Sequence, residues 1–305
     1  MNQENKFTTP ILIIAWKRPK QTKELIGKIK QINPSNLYIA CDGPKNENII
    51  EDNKVKDTRE ILLKSFEEIK SKKYLFSNNN QGCKLGVSNA ISWFFKNERE
   101  GIILEDDCIP DKSFFKYCEE LLGKYENDKN ISMISGRNNL EKTDVKSSYY
   151  FTFGNTWGWA TWRRAWRFND VKLKNWNNKK LKKNFYKNLK NYPIFLQILE
   201  DRCSKIKKNK INSAWDYQWF FSTISRNMIG IIPSVNLVRN LGFDERSTHT
   251  KSNKKLYSIK SHKINFPLKH NNESLINKKL LLNEYNKIYK TGLIHDFKKF
   301  IHKIL

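Results

Sequence analysis

Over the first 135 residues, short apolar runs alternate with segments whose apolar residues recur at helical spacing, and most of the runs stop at a charged or turn residue. Pro10–Trp16 (PILIIAW) reads as a buried strand closed by Arg18-Pro19, and Thr22–Ile32 then sets Leu25, Ile26, Ile29 and Ile32 on one helical face. Leu37–Cys41 is a second strand, stopped by the turn signal Asp42-Gly43-Pro44. The helical period returns over Thr58–Lys70, a short strand follows at Tyr74–Phe76, and Val87–Phe95 is again helical. Gly101–Leu104 (GIIL) is a fourth strand that runs straight into Glu105-Asp106-Asp107. Asp111 or Ser113 caps the next helix, and Ile131–Ile134 is a fifth strand. Buried strands separated by amphipathic helices predict an α/β fold, a mainly parallel sheet with helices on both faces.

In such sheets ligands bind beyond the carboxyl ends of the strands. Arg18, Asp42 and Glu105-Asp106-Asp107 all follow strands and are therefore expected at one edge. Carboxylates held there suit a hard divalent cation, Mg²⁺ or Mn²⁺. Asp42 can accept a hydrogen bond from the N3–H of uracil or the N1–H of guanine, while cytosine offers no such group; Asp42 is also an ordinary residue for an Asp-Gly-Pro turn. Neither G-x-G-x-x-G nor G-x-x-x-x-G-K-[ST] occurs, so dinucleotide and P-loop sites gain no support.

The second half, from about Gly136, is less regular and rich in tryptophan. Trp157–Trp176 holds five of the nine, including WGWATWRRAW. These rings suit either a platform for sugar rings or an internal core, and Gly158 between two of them marks a turn or a close backbone approach. Asp216, in AWDYQW, stands alone among aromatics and is open to two readings: a general base with tunable pKa, or a helix N-cap.

Charge sets the remaining expectations. Fifty-seven Lys and Arg against 31 Asp and Glu give a net +26. That excess fits a compositional bias towards Lys and Asn, attraction to an anionic membrane, or nucleic-acid binding. No apolar run reaches the ~18–20 residues of a membrane span. The opening MNQENKFTTP lacks the features of a signal peptide, and five cysteines without C-x-x-C spacing suit a reduced compartment. The expected location is cytoplasmic. Leu293–Leu305 (LIHDFKKFIHKIL) forms an apolar stripe beside lysines, suited to an anionic interface or to the protein's own core.

Taken in order, PILIIAWKRP, YIACDGP, NNQGCKLGVSNAISWFF, GIILEDDCIPDKSFFKYCEELL, WGWATW, AWDYQW and LGFDERSTHT resemble GT-A nucleotide-sugar glycosyltransferases, and most closely bacterial relatives of the N-acetylglucosaminyltransferase I group. The resemblance spans Pro10 to about Thr250. It implies a GT-A, Rossmann-like fold with a nucleotide-sugar-binding half over 1–135, an acceptor and catalytic-base half over 136–250, and a basic helical tail over 251–305. It further implies that Arg18 and Asp42 hold the donor base, that Glu105 and Asp106 face ribose and sugar, and that Asp107 binds Mn²⁺ or Mg²⁺. His249 is implied as a further metal or diphosphate contact, Asn240–Thr250 as a closing loop made flexible by Gly242, and Asp216 as the catalytic base. Gly86 stands where the animal enzymes have a histidine.

The expected activity is inverting, metal-dependent transfer from a nucleoside diphosphate-sugar, a UDP-sugar, to a glycan or lipid-linked acceptor in bacterial surface polysaccharide synthesis, with peripheral contact to the inner face of the cytoplasmic membrane and no nucleic-acid partner. A sugar-phosphate nucleotidyltransferase would share the sheet and carboxylates, but the segment after strand one, Lys17-Arg18-Pro19-Lys20, has no glycine. A basic nucleic-acid-binding protein is the other alternative. The expected site is acidic, which places the Lys172–Lys210 charge away from it.

Overall fold

The computed structural model describes residues 6–45, 49–211, 213–242 and 259–290. Among these, the first strands are β1 (Ile11–Ala15), β2 (Asn36–Cys41), β3 (Ser71–Phe76), β4 (Glu100–Glu105), β5 (Cys108–Pro110) and β6 (Ile131–Ser135). The later ones are β7 (Tyr149–Thr152), β8 (Trp159–Trp162), β9 (Ile229–Pro233) and β10 (Val238–Asn240). Eight of them form one sheet in the order β3-β2-β1-β4-β8-β6-β9-β7, and β5 pairs with β10 in a separate antiparallel ribbon. β3, β2, β1 and β4 are parallel, as are β6 and β9, while β8 and β7 run the other way. This is the α/β, Rossmann-like class that the alternation predicts. The sheet runs through residue 135 without a break, so the two sequence halves share it.

The helices start where chain chemistry allows. α1 (Pro19–Lys30) opens on a proline, whose missing N–H costs nothing at a first turn. It is followed by α2 (Ile49–Ser65), α3 (Gly82–Asn97) and α4 (Lys112–Lys124). Asp111, not Ser113, caps α4, accepting the Ser113 amide at 2.9 Å. Strand alternation decides the packing. Ile11, Ile13 and Ala15 of β1 face a core built with Leu25, Leu62 and Phe114 of α1, α2 and α4. Leu12 and Ile14 face α3 through Ile91 and Phe94. Both faces of the sheet are thus covered.

The second half adds α5 (Arg163–Trp166), α6 (Lys179–Leu189), α7 (Pro193–Lys207) and α8 (Asp216–Ile224). Most of its tryptophans are core. Trp159, Trp166, Trp215 and Trp219 are buried against one another, with centroids 5.2–6.3 Å apart. Trp162 and Trp176 are buried as well, which removes the platform reading for them. Gly158 is both a turn and a close approach: its φ is +62°, and its carbonyl accepts the Gly136 amide at 2.7 Å.

Residues 259–290, expected in a basic tail, pack back onto the body. Ile264 and Leu268 join the α1/α4 core, and Leu281 and Tyr285 of α9 (Lys278–Tyr285) join the core of α6–α8. Glu284 on α9 is buried, and Asn139 Nδ2 donates to its carboxylate at 2.7 Å. Burial raises its pKa from 4.5 to about 7, against the opposing Asn139 hydrogen bond and the Arg137 charge. The folded state therefore holds this proton more tightly than the unfolded chain. Stability is lost as pH climbs from 4.5 to 7 and stays lost above, by about 3 kcal/mol. Glu284→Gln keeps an acceptor for Asn139 and should raise the melting temperature at pH 8, with the gain shrinking at pH 5. A melting temperature equal to wild type at pH 8 would refute the assignment.

Candidate active site

The carboxyl ends of β1, β2 and β4 open on a cavity of about 1840 Å³, lined by Arg18, Asp42, Glu105, Asp106 and Asp107. The crowding expected from the strand ends is therefore present. Asp106 is placed by its amide, which donates to Ile14 O at 2.9 Å and extends the β1–β4 pairing. Its Oδ2 accepts the Trp16 amide at 3.1 Å and its Oδ1 accepts Arg18 Nη1 at 2.9 Å. The same nitrogen donates to Asp107 Oδ2 at 2.6 Å, so one guanidinium bridges two carboxylates. Among the described residues none hydrogen-bonds to the Glu105 carboxylate.

The electrostatics follow. Burial pushes Glu105 well above the usual carboxylate range, and Asp107, Asp106 and Asp216 add to it while Arg18 opposes. Burial raises Asp106 too, with Arg18 opposing. Burial works against the charge on Arg18, yet Asp106 and Asp107 outweigh it and hold the guanidinium protonated beyond its ordinary range. Even with Glu105 held towards its protonated form, Asp106 and Asp107 outnumber the one guanidinium they share and leave surplus negative charge.

Hard oxygen donors with that surplus fit Mg²⁺ or Mn²⁺. Among the described residues no three His, Cys, Asp or Glu side chains form a ready cage. The donor set thus fits a cation held by one or two carboxylates and completed by ligand oxygens and water. Asp107 lies at the junction with the chain beyond β10. Its carbonyl accepts the Leu241 amide at 2.8 Å, and Asn240 Nδ2 reaches its Oδ1 at 3.4 Å. A β-carbon on Gly242 would collide with Asp107 Oδ2, so any other residue there would have to displace that carboxylate, a reason for glycine that the sequence did not suggest. His249 lies outside the described residues, as do residues 243–258 of the expected closing loop and Leu293–Leu305.

Asp42 is more occupied than a free base-reading carboxylate would be. Its oxygens accept the amides of Gly43, Gln81 and Gly82 and the side chain of Asn80, at 2.9–3.1 Å. It therefore ties the 80–82 turn, at the start of α3, to the end of β2. A β-carbon on Gly86 would sit 3.2 Å from Asp42 Oδ2, so a histidine there would need Asp42 or the turn to shift.

Asp216 is the first residue of α8, and Trp215 occupies the N-cap position. The cap reading thus fails by one residue. Its Oδ1 accepts the Tyr217 amide at 3.0 Å. Burial raises its pKa; its own amide and that of Tyr217, and then the Arg202 charge, oppose this. Asp216 is partly exposed, and its charge is felt by Glu105 and Cys83, both of which line the cavity. Trp157 is the one member of the Trp157–Trp176 group to line the cavity, and Arg137 sits 5.2 Å from its ring.

One expectation is corrected. Among the described residues, eight Lys or Arg and five Asp or Glu line the cavity, so the site is acidic at its centre and cationic around it. Arg202 and Lys210, from the stretch expected to lie elsewhere, are part of the wall. Lys17 and Lys45 flank the Trp16 ring at 3.9 and 5.3 Å, and Lys17 pairs with Glu51. No sequence period marks Arg202 or Lys210 as site residues, because tertiary packing of α7 brings them there.

No protein-family model matches the chain, and no curated protein matches it by sequence. Solved structures similar to it include the galactosyltransferase LgtC in complex with donor and acceptor sugar analogs, at 7% identity over 72% of each chain with a TM-score of 0.38. Mouse xyloside xylosyltransferase 1 is similar at 13% identity over 72% of this chain and 83% of that chain, with a TM-score of 0.37. A cytidylyltransferase from Leptospira borgpetersenii is similar at 12% identity over 53% of this chain, with a TM-score of 0.32; the chain spans 63% of its length. Among the described residues no helix is long and apolar enough to cross a membrane.

Proposed function

We propose that the chain is a metal-dependent, inverting glycosyltransferase that moves a sugar from a UDP-sugar to a hydroxyl of a glycan or lipid-linked acceptor. The observation that carries this reading is the meeting of Arg18, Glu105, Asp106 and Asp107 in one cleft, with Asp216 at the start of α8 close enough to act on Glu105. In this reading Arg18 and Asp42 stand on the nucleoside side, Asp42 by fixing the 80–82 turn. Glu105 and Asp106 face ribose and sugar, and Asp107, with His249, holds the cation. A bound Mn²⁺ or Mg²⁺ would supply Lewis acidity to the departing diphosphate. The bond from the anomeric carbon to the diphosphate breaks through an oxocarbenium-like state as the acceptor oxygen attacks from the opposite face. Asp216 takes the hydroxyl proton, and burial makes it a stronger base than an exposed aspartate. A lipid-linked acceptor would place the enzyme on the inner face of the cytoplasmic membrane.

The nucleotidyltransferase alternative needs a phosphate-gripping loop after β1; here that segment is Lys17-Arg18-Pro19-Lys20, with no glycine. A thermal-shift panel of nucleotide-sugars with and without Mn²⁺ tests the choice. One diphosphate-sugar should raise the melting temperature, and chelation should abolish the rise. Stabilisation by CTP and by no diphosphate-sugar would favour the nucleotidyltransferase instead.

A further inference from the structure

We infer that the sugar acceptor carries an anionic group, a carboxylate or a phosphate, and that Arg202 and Lys210 receive it. The inference deepens the transfer reading and rests on it for calling the bound molecule an acceptor. The C-terminal part of α7 and the turn after it bring Arg202, Lys210, Ile211 and Ser213 into the cavity wall, beside the start of α8 and Asp216. These elements are separate from the strand ends that carry the acidic centre.

Both cations are exposed, and among the described residues neither forms an ion pair. The Arg202 guanidinium lies 6.0 Å from the Tyr217 ring, and the turn at Lys210 is closed by its amide donating to Lys205 O at 2.8 Å. On the strand side, by contrast, Lys17 and Arg18 are taken up by Glu51 and by Asp106 and Asp107. Trp157 and Ile211 offer apolar surface for a sugar ring in the same cavity.

Charge logic selects the ligand. Arg202 is close enough to Asp216 to favour its ionised form, so the bare cation weakens the base. An anion that pairs with Arg202 cancels this effect only while the acceptor is bound. It also adds charge-assisted hydrogen bonds that a neutral sugar cannot supply. The donor's diphosphate is the competing source of negative charge, and it is separable by experiment.

The probes are a fluorescently labelled tetragalacturonate, its neutral methyl ester, and UDP with Mn²⁺, measured on the full chain and on an R202Q/K210Q double variant at one ionic strength. Wild-type protein should bind the charged tetramer about tenfold or more tighter than the ester. The double variant should lose most of that preference while keeping its melting temperature and its UDP affinity. Equal binding of charged and neutral tetramers overturns the inference. So does a preference that survives in the double variant, which would assign it to other lysines. A fall in UDP affinity in the double variant also overturns it and gives both cations to the donor. Failure of wild-type protein to bind UDP defeats the transfer reading instead, and leaves the oligouronate comparison to be judged separately.

Discussion

Replacing Asp216 by asparagine should lower the turnover number for sugar transfer by about 10²–10⁴-fold while nucleotide affinity stays at the wild-type value. The substitution is isosteric, and asparagine Oδ1 can still accept the Tyr217 amide that anchors Asp216 at the start of α8. The fold at that helix end should therefore survive. What disappears is the acceptor of a proton, at a position where burial makes a carboxylate unusually basic. The KM for the donor should not move, because Asp216 belongs to α8 and not to the strand ends that carry the acidic centre. Steady-state kinetics with the donor found by thermal shift, together with UDP titration, separate the two effects. Near-normal turnover in Asp216→Asn would remove Asp216 as the base.

The first half of the fold was legible because its signals are local. A buried parallel strand is a continuous apolar run, and the five expected from PILIIAW, LYIAC, YLF, GIIL and ISMI are β1, β2, β3, β4 and β6, shifted at their ends by up to three residues. The acidic centre was legible for the same reason, since GIIL leaves Glu105-Asp106-Asp107 nowhere but the strand end. The second half resisted because its pairings are distant. β8 (WATW) inserts antiparallel between β4 and β6, and its tryptophans carry no clear period of two. β5 and β10 are three residues each and meet across more than 120 positions. Asp42 shows the limit for sites: Asp-Gly-Pro announces a turn, but the donors that fill its carboxylate come from residues 80–82 as well as from Gly43. Arg202 and Lys210 read as part of a lysine-rich surface stretch until α7 is folded against α8.

Asp107→Asn should abolish the metal-dependent part of nucleotide binding and reduce transfer by about 10²–10³-fold or more. It should also make the ligand-free protein melt higher than wild type. The two effects have one cause. Glu105, Asp106 and Asp107 are held together at a buried strand end with Arg18 as the counter-charge, and their mutual repulsion is part of what pushes Glu105 upwards. Removing one negative charge relieves that repulsion, while asparagine keeps an oxygen for Arg18, which also retains Asp106. The carbonyl that accepts the Leu241 amide is untouched, so β10 and Gly242 should stay in place. Melting curves with and without UDP and Mn²⁺ read both effects. A variant that melts higher alone but gains nothing from UDP and Mn²⁺ would show that strain at this edge is retained for ligand binding. A variant with wild-type metal dependence would instead move the cation to Asp106 or Glu105.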